Sequence, residues 1–358
     1  MKKEKFGVIK LLLLVLVVSI IASIPTLAVA KYKKSGLGDE LNQDPPEFEG
    51  VINVWNVDTF EGGSVNKSVY LDMVSQGFAK ENKGVYFLIK NITPEELIES
   101  VMAGVLPDVV SFGYGLGNIL KPYLLALDNG IAGAVRKEII GSGSVDGNIL
   151  SVGYLVGSYI LASSEEKVLK QNSATDYNNL SLLQNVNNLG FDKSSKKGTV
   201  HTSSVVVGKN RFVDPLTNFD KIGGVGLTDY YESESMYDAY LDFVAYNMGT
   251  ILVGTHRDLF KLYGRVAGGK LANLKVEYLT NFTNLVQYIG IINSGVTTKM
   301  EIAKKFIQSV VSEKYQKLTQ KVGMVNALKL TIESTTLSYY ADYNRVVNSI
   351  TNFANAFG

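Results

Sequence analysis

The stretch Gly254–Leu262, GTHRDLFKL, sets an imidazole, a guanidinium and a carboxylate side by side behind the apolar run Ile251-Leu252-Val253. Catalysis at His256 needs a nucleophile or a second carboxylate beside it, and the neighbouring sequence supplies neither. Thr255 follows a predicted strand and precedes Leu259, Phe260 and Leu262, the pattern of a helix N-cap. Asp258 falls in the first turn, where the helix dipole favours a carboxylate. Arg257 and Asp258 are adjacent and do not share a helical face. The stretch therefore reads as a capped helix start. At a cleft, such a start also offers N–H groups to ligand oxygens.

Other chemistry is thinly represented. The chain has no cysteine and only two histidines, His201 and His256. That excludes a disulfide framework and a thiol nucleophile, and it argues against a zinc site. GYGLG at 113–117 lacks the spacing of a dinucleotide fingerprint, and GSGSVDG at 141–147 reads as a turn. No cofactor, metal or catalytic residue is expected. Asp58 and Glu61 are candidates for a carboxylate pair acting on a sugar, with a solvated turn as the plainer reading. Aromatic residues say more. Trp55, the only tryptophan, ends a predicted strand, Tyr114 lies in a facing loop, and Tyr154 leads into the second half. Sugar rings stack on such faces while neutral groups hold their hydroxyls.

Charged residues are 19 % of the chain, and net charge is +1, with no basic stripe that would mark a nucleic-acid binder. The first ten residues are basic, and the next twenty, LLLLVLVVSIIASIPTLAVA, are uncharged. Residues 1–30 read as an export signal cleaved after Ala30 or as an uncleaved membrane anchor, and either places the body outside the cytoplasm. Residues 31–50 are polar, contain Pro45-Pro46 and read as a tether. From 51 to 112 the pattern is strand, helix, strand, helix, strand, which implies a parallel sheet with helices on its faces. Thr93, Pro94 and Glu96 mark the second helix start, and Gly104 closes that helix. In such sheets ligands sit beyond the carboxyl ends of the strands. The periodicity predicts a strand from 149 leading into a short helix, helices over 235–249 and 255–269, a helix pair over 297–323, and a last helix over 335–357.

Four stretches carry a resemblance: VINVWNVDTFEGG; GVYFLIKNITPEELIESVMAGVLPDVVSFGYG; GTHRDLFKLYGR with FTNLVQYIGI; and AKKFIQSVVSEKYQKLTQKVGMVNAL. They resemble, in order over about residues 50–330, the extracellular solute-binding proteins of bacterial ABC importers. The likeness is to family 1, the maltose-binding-protein-like group that mostly binds sugars and oligosaccharides. The resemblance implies an α/β, two-lobed periplasmic-binding-protein-like fold of type II, each lobe a mostly parallel sheet flanked by helices, the two joined by crossing strands. It implies lobe 1 over 51–152 and 290–325 and lobe 2 over 153–289 and 326–358. Carried over residue by residue, the ligand contacts are Trp55, Asp58 and Glu61; Gly113 and Tyr114; Tyr154; Thr255, His256 and Arg257; and Asn284 and Gln287. The implied role is an exported monomer that captures a carbohydrate for the permease subunits of an importer. The lipid-bearing cysteine usual in Gram-positive relatives is absent, and an uncleaved N-terminal helix could take its place. The alternatives are a glycan hydrolase or lyase, and a sensor subunit for a membrane kinase.

Overall fold

Alternation in VINVWNV makes the first strand: Ile52 and Val54 point into the core while Val51 and Trp55 face the other way. The chain is described by a computed structural model over residues 48–59, 66–164, 205–208, 231–246, 251–272, 274–278, 282–331 and 338–358. The expected signal or anchor, nearly all of the tether, Glu61 and most of 171–235 lie outside the described residues.

The first five elements fall where the spacing predicts: β1 (Gly50–Val57), α1 (Ser68–Glu81), β2 (Val85–Ile92), α2 (Pro94–Met102) and β3 (Val109–Gly113). The predicted capping box of α2 is present. Thr93 N–H donates to Glu96 Oε2 (2.8 Å), and Glu96 N–H donates to Thr93 Oγ1 (3.1 Å). Next come α3 (Gly117–Leu120), α4 (Lys137–Ser142), β4 (Ser144–Val145), β5 (Asn148–Ile149), β6 (Val152–Val156) and β7 (Tyr159–Ser164). The turn between β4 and β5 has positive φ at both Asp146 (49°) and Gly147 (81°), which suits a two-residue hairpin. The rest of the chain supplies β8 (Val205–Gly208), β9 (Tyr231–Ser233), α5 (Met236–Val244), β10 (Ile251–Thr255), α6 (His256–Ala267) and β11 (Leu274–Tyr278). It ends with β12 (Phe282–Thr283), β13 (Val286–Ile291), α7 (Thr297–Val310), α8 (Glu313–Gln316), β14 (Val325–Asn326), α9 (Ser338–Ser349) and β15 (Asn352–Phe353).

Two sheets organise these elements. The first runs β14-β6-β13-β3-β1-β2 and the second β11-β7-β10-β8-β9. Each has a three-stranded parallel portion, β2-β1-β3 and β10-β8-β9, to which the connecting strands add antiparallel. This is the two-lobed α/β arrangement, with Phe48–Gly358 as one compact unit. Buried side chains of both sheets, from Ile52 and Val54 to Ile160 and Leu252, belong to one continuous apolar cluster.

Two sequence expectations need correcting. The apolar run after Ile149 is two strands in different sheets, parted at Gly157-Ser158. There Gly157 N–H donates to Leu285 O (2.6 Å), and a Cβ on Gly157 would stand 2.8 Å from Leu285 Cβ. The last helix stops at Ser349. The Arg136 guanidinium takes the carbonyls of Val347 and Ile350 (3.2 Å each) and lies over the Phe353 ring, 5.0 Å from its centroid. The tail then pairs β15 with β12 and returns to the first sheet, where Ala356 N–H donates to Ser142 O (2.8 Å) and Phe357 packs on Phe112.

One side chain ties several elements together. Gln316 Nε2 donates to Tyr70 Oη, Tyr154 O and Val310 O (3.0 Å each), and its Oε1 accepts from Ala327 N–H (2.7 Å). Gln316→Leu takes the side-chain acceptor from Ala327 N–H and a donor from Tyr154 O, while Tyr70 Oη and Val310 O keep their own bond (2.6 Å), and urea unfolding is expected to show a loss of about 2 kcal/mol. A loss under about 0.5 kcal/mol would mean the joint carries little of the stability.

Candidate functional site

The carboxyl ends of β1 and β3 meet β6 and β13 in a buried polar network. Ser111 Oγ shares a hydrogen with Tyr154 Oη (2.9 Å) and donates to Asn56 Oδ1 (3.2 Å). Gln287 Nε2 donates to Ser111 Oγ (2.9 Å), Val57 O (3.0 Å) and, more weakly, Asn56 Oδ1 (3.4 Å). Asn56 Nδ2 reaches Asn91 Oδ1 (2.9 Å) and Asn66 Oδ1 (3.3 Å). The Tyr154 ring stacks on Tyr70 with centroids 5.6 Å apart, and burial raises the Tyr154 hydroxyl above the usual phenol range. The outer end of this network carries charge: Asp58 accepts from Asn66 Nδ2 (2.8 Å) and pairs with Lys67 Nζ (3.1 Å). The Lys67 side chain is fully buried, whereas that of Asp58 is 39 % exposed.

The second half of the site forms where the sheets connect. Tyr159 Oη donates to Asn284 Oδ1 (2.8 Å), and Thr283 Oγ1 donates to Gly157 O (2.8 Å). The start of α6 abuts this joint, with His256 N–H donating to Ser158 O (2.9 Å). Thr255 N–H donates to Asp258 Oδ2 (2.8 Å), and Thr255 Oγ1 contacts the same oxygen at 3.2 Å. The expected cap is therefore present, but two of the N–H groups expected for ligand are held by Asp258 and Ser158. The His256 ring meets Tyr343 edge to face, 5.6 Å between centroids. Burial holds its imidazole down at about 3, so it is neutral near neutral pH.

The predicted contacts thus divide. Tyr154 and Gln287 come together in the first network, and Asn284, Thr255 and His256 gather at the joint. Arg257 is buried at the same helix start. Gly113 sits across the strand pair from Gln287, and any side chain there would collide with Thr59 Oγ1. Tyr114 follows it, half-buried in the loop. Asp58 stands at the rim. Trp55 lies apart: strand alternation turns it to the opposite face from Asn56, where Lys90 Nζ is 5.7 Å from its ring centroid. Sequence reasoning missed Asn56, Thr59, Ser111 and Ser158. Their signal was modest: small amides and hydroxyls at or beside strand ends. Four buried atoms here, Thr59 Oγ1, Ser158 Oγ, Asn284 Nδ2 and Gln287 Oε1, have no hydrogen-bond partner in the protein. Among the described residues no cluster of three His, Asp or Glu side chains could hold a metal.

No family model matches the sequence, and no curated protein matches it. Solved structures do. The maltose-bound MalE3 protein of T. maritima aligns at a TM-score of 0.64 with 14 % identity, over 86 % of this chain and 90 % of that one. The GacH receptor of Streptomyces glaucescens, solved unliganded and with acarbose, aligns at 0.59 and 14 %, over 85 % and 88 %. Thiaminase I of Bacillus thiaminolyticus aligns at 0.60 and 10 %, over 86 % and 94 %. These likenesses establish a shared two-lobed fold, one that also serves an enzyme. Among the described residues no helix is long and apolar enough to cross a membrane.

The buried His256 gives a pH test. Its folded value, about 3, lies below the ordinary 6.5. The unfolded chain therefore takes up the proton first, and stability present above pH 6.5 falls as pH drops toward 3. The expected slope from this residue is about 1.4 kcal/mol per pH unit. Denaturant titrations of His256→Gln between those limits should show that slope removed. An unchanged pH dependence would show that His256 is not buried as a neutral ring.

Proposed function

We propose that this protein is a carbohydrate-binding solute receptor that holds a sugar or oligosaccharide between its lobes and hands it unchanged to the permease of an ABC importer. The observation that carries this reading is a set of four buried, uncharged polar atoms without partners in the first network and at the joint: Thr59 Oγ1, Ser158 Oγ, Asn284 Nδ2 and Gln287 Oε1. A buried donor or acceptor without a partner is unfavourable by about 1–3 kcal/mol, and sugar hydroxyls, which donate and accept, supply what these atoms lack. Sugar-bound proteins of the same fold support the ligand class. Asp58, Gly113, Tyr114, Tyr154 and the start of α6 at Thr255, His256 and Arg257 frame the site in this reading. The division into lobes follows the sheets, and the joint lies at Gly157-Ser158 and Thr283–Leu285. Residues 1–30 export or anchor the chain, so that the body works outside the membrane.

A thiaminase on the same fold makes turnover the second reading. Lobe closure without turnover separates the two.

A thermal-shift screen with neutral mono- and oligosaccharides is expected to raise Tm in proportion to the logarithm of ligand concentration. Thr59→Val should leave the unliganded protein folded with a Tm no lower than that of the unaltered chain, because it removes a buried hydroxyl that bonds nothing in the protein. It should weaken the sugar about tenfold, the equivalent of one net hydrogen bond. A sugar consumed during incubation would establish turnover. A Tm raised by a non-sugar solute and by no sugar would sink the ligand class.

A further inference from the structure

β2 is the outermost strand of the first sheet. On its inner side Gly50 N–H donates to Gly84 O (2.9 Å) and Asp58 N–H donates to Ile92 O (3.3 Å). The even-numbered residues of β2 therefore turn their backbone groups toward β1, and Phe87, Ile89 and Asn91 present theirs outward. No proline or bulge interrupts Val85–Ile92. On one face of this edge Val51, Tyr86 and Leu88 lie together, with Tyr86 62 % and Leu88 60 % exposed. An uncovered edge with an apolar face is a template for pairing. A lipid surface fits it poorly, because α2 covers the same face and exposes Glu95, Glu96 and Glu99.

We propose that the chain pairs with a second copy of itself through β2, antiparallel, with the two-fold axis at Leu88. In this register Phe87 exchanges both backbone hydrogen bonds with the partner's Ile89, and Asn91 N–H meets the partner's Val85. All three outward-facing residues are used. Leu88 falls in a non-hydrogen-bonded pair with the partner's Leu88, where Cα atoms approach to about 4.5 Å. Lys90 lies against the partner's Tyr86, a cation over an aromatic ring. Moving the axis to Lys90 would oppose two ammonium groups, and moving it to Tyr86 would leave half the strand unpaired. The contact uses the same patch on both copies, so it closes on itself and stops at two. It joins two six-stranded sheets edge to edge.

The chain lacks cysteine, so a single introduced thiol reports one position. In the full-length protein under mild oxidation, Leu88→Cys is expected to give a covalent dimer at roughly tenfold the yield of Val296→Cys, since only the first pair meets disulfide geometry. Val296 is 50 % exposed and lies away from β2, so it serves as the matched control. Chains carrying Tyr86→Cys should link to chains carrying Lys90→Cys when the two are mixed. Sedimentation of the unaltered chain should show a dimer that Leu88→Lys converts to a folded monomer, with a Tm that no longer rises with protein concentration. Equal yields from the two single thiols, or an unaltered chain that sediments as a monomer, would overturn the pairing.

Discussion

Two connections grip each other at Gly157 and Leu285, and the sheets are one molecule because of it. Gly157 N–H donates to Leu285 O, Thr283 Oγ1 returns a bond to Gly157 O, and Leu285 N–H donates to Thr283 Oγ1. Glycine is required at 157 by the close approach of Leu285, not by an unusual φ. Three further features depend on this joint. The backbone of α6 starts from it through Ser158, β12 leaves it to pair with β15, and β13 enters the first sheet from it.

Around the joint the polar groups are mostly uncharged. Amides and hydroxyls from Asn56, Ser111, Tyr154 and Gln287 bond one another in a buried network that leaves Gln287 Oε1 without a partner among the described residues. The charges lie at its edge, with Asp58 neutralised by Lys67. A buried network of neutral groups is costly when partly satisfied and rigid when fully satisfied. The few unpartnered atoms therefore mark where the protein is incomplete by itself. The buried guanidinium of Arg136 is a different case. Its Nη1 reaches the carbonyl end of α9 and its plane lies over the Phe353 ring, while its Nε and Nη2 have no partner among the described residues and burial lowers its pKa to about 10; its role is to hold the C-terminal tail against the first sheet.

Local signals were legible where local physics decides. The capping box at Thr93, the Gly104 stop, the buried face of α7 and the cap at Thr255 followed from residue types a few positions apart. The site was legible in part. Tyr154 stands out as an aromatic on the strand leading into the second half, and Asn284 and Gln287 through the resemblance, whereas Ser111 and Thr59 do not. Nothing in their own neighbourhood distinguishes a serine in a strand, or a threonine after one, from any other. Trp55 lies on the face opposite Asn56, beside Lys90, a placement set by the strand's alternation and not by the residue type.

The sequence by itself determined the alternation of strand and helix, the apolar faces, the absence of thiol chemistry and the capped start of α6, because each depends on spacings within a turn or two of chain. Tertiary structure alone decided that one apolar run becomes two strands in separate sheets, that the last helix stops early and sends its tail back, and which polar groups lack partners. Those outcomes rest on contacts between residues more than a hundred positions apart, such as Gly157 with Leu285 and Arg136 with Val347. A backbone hydrogen bond or a missing Cβ decides such contacts, and neither leaves a periodic trace in the chain.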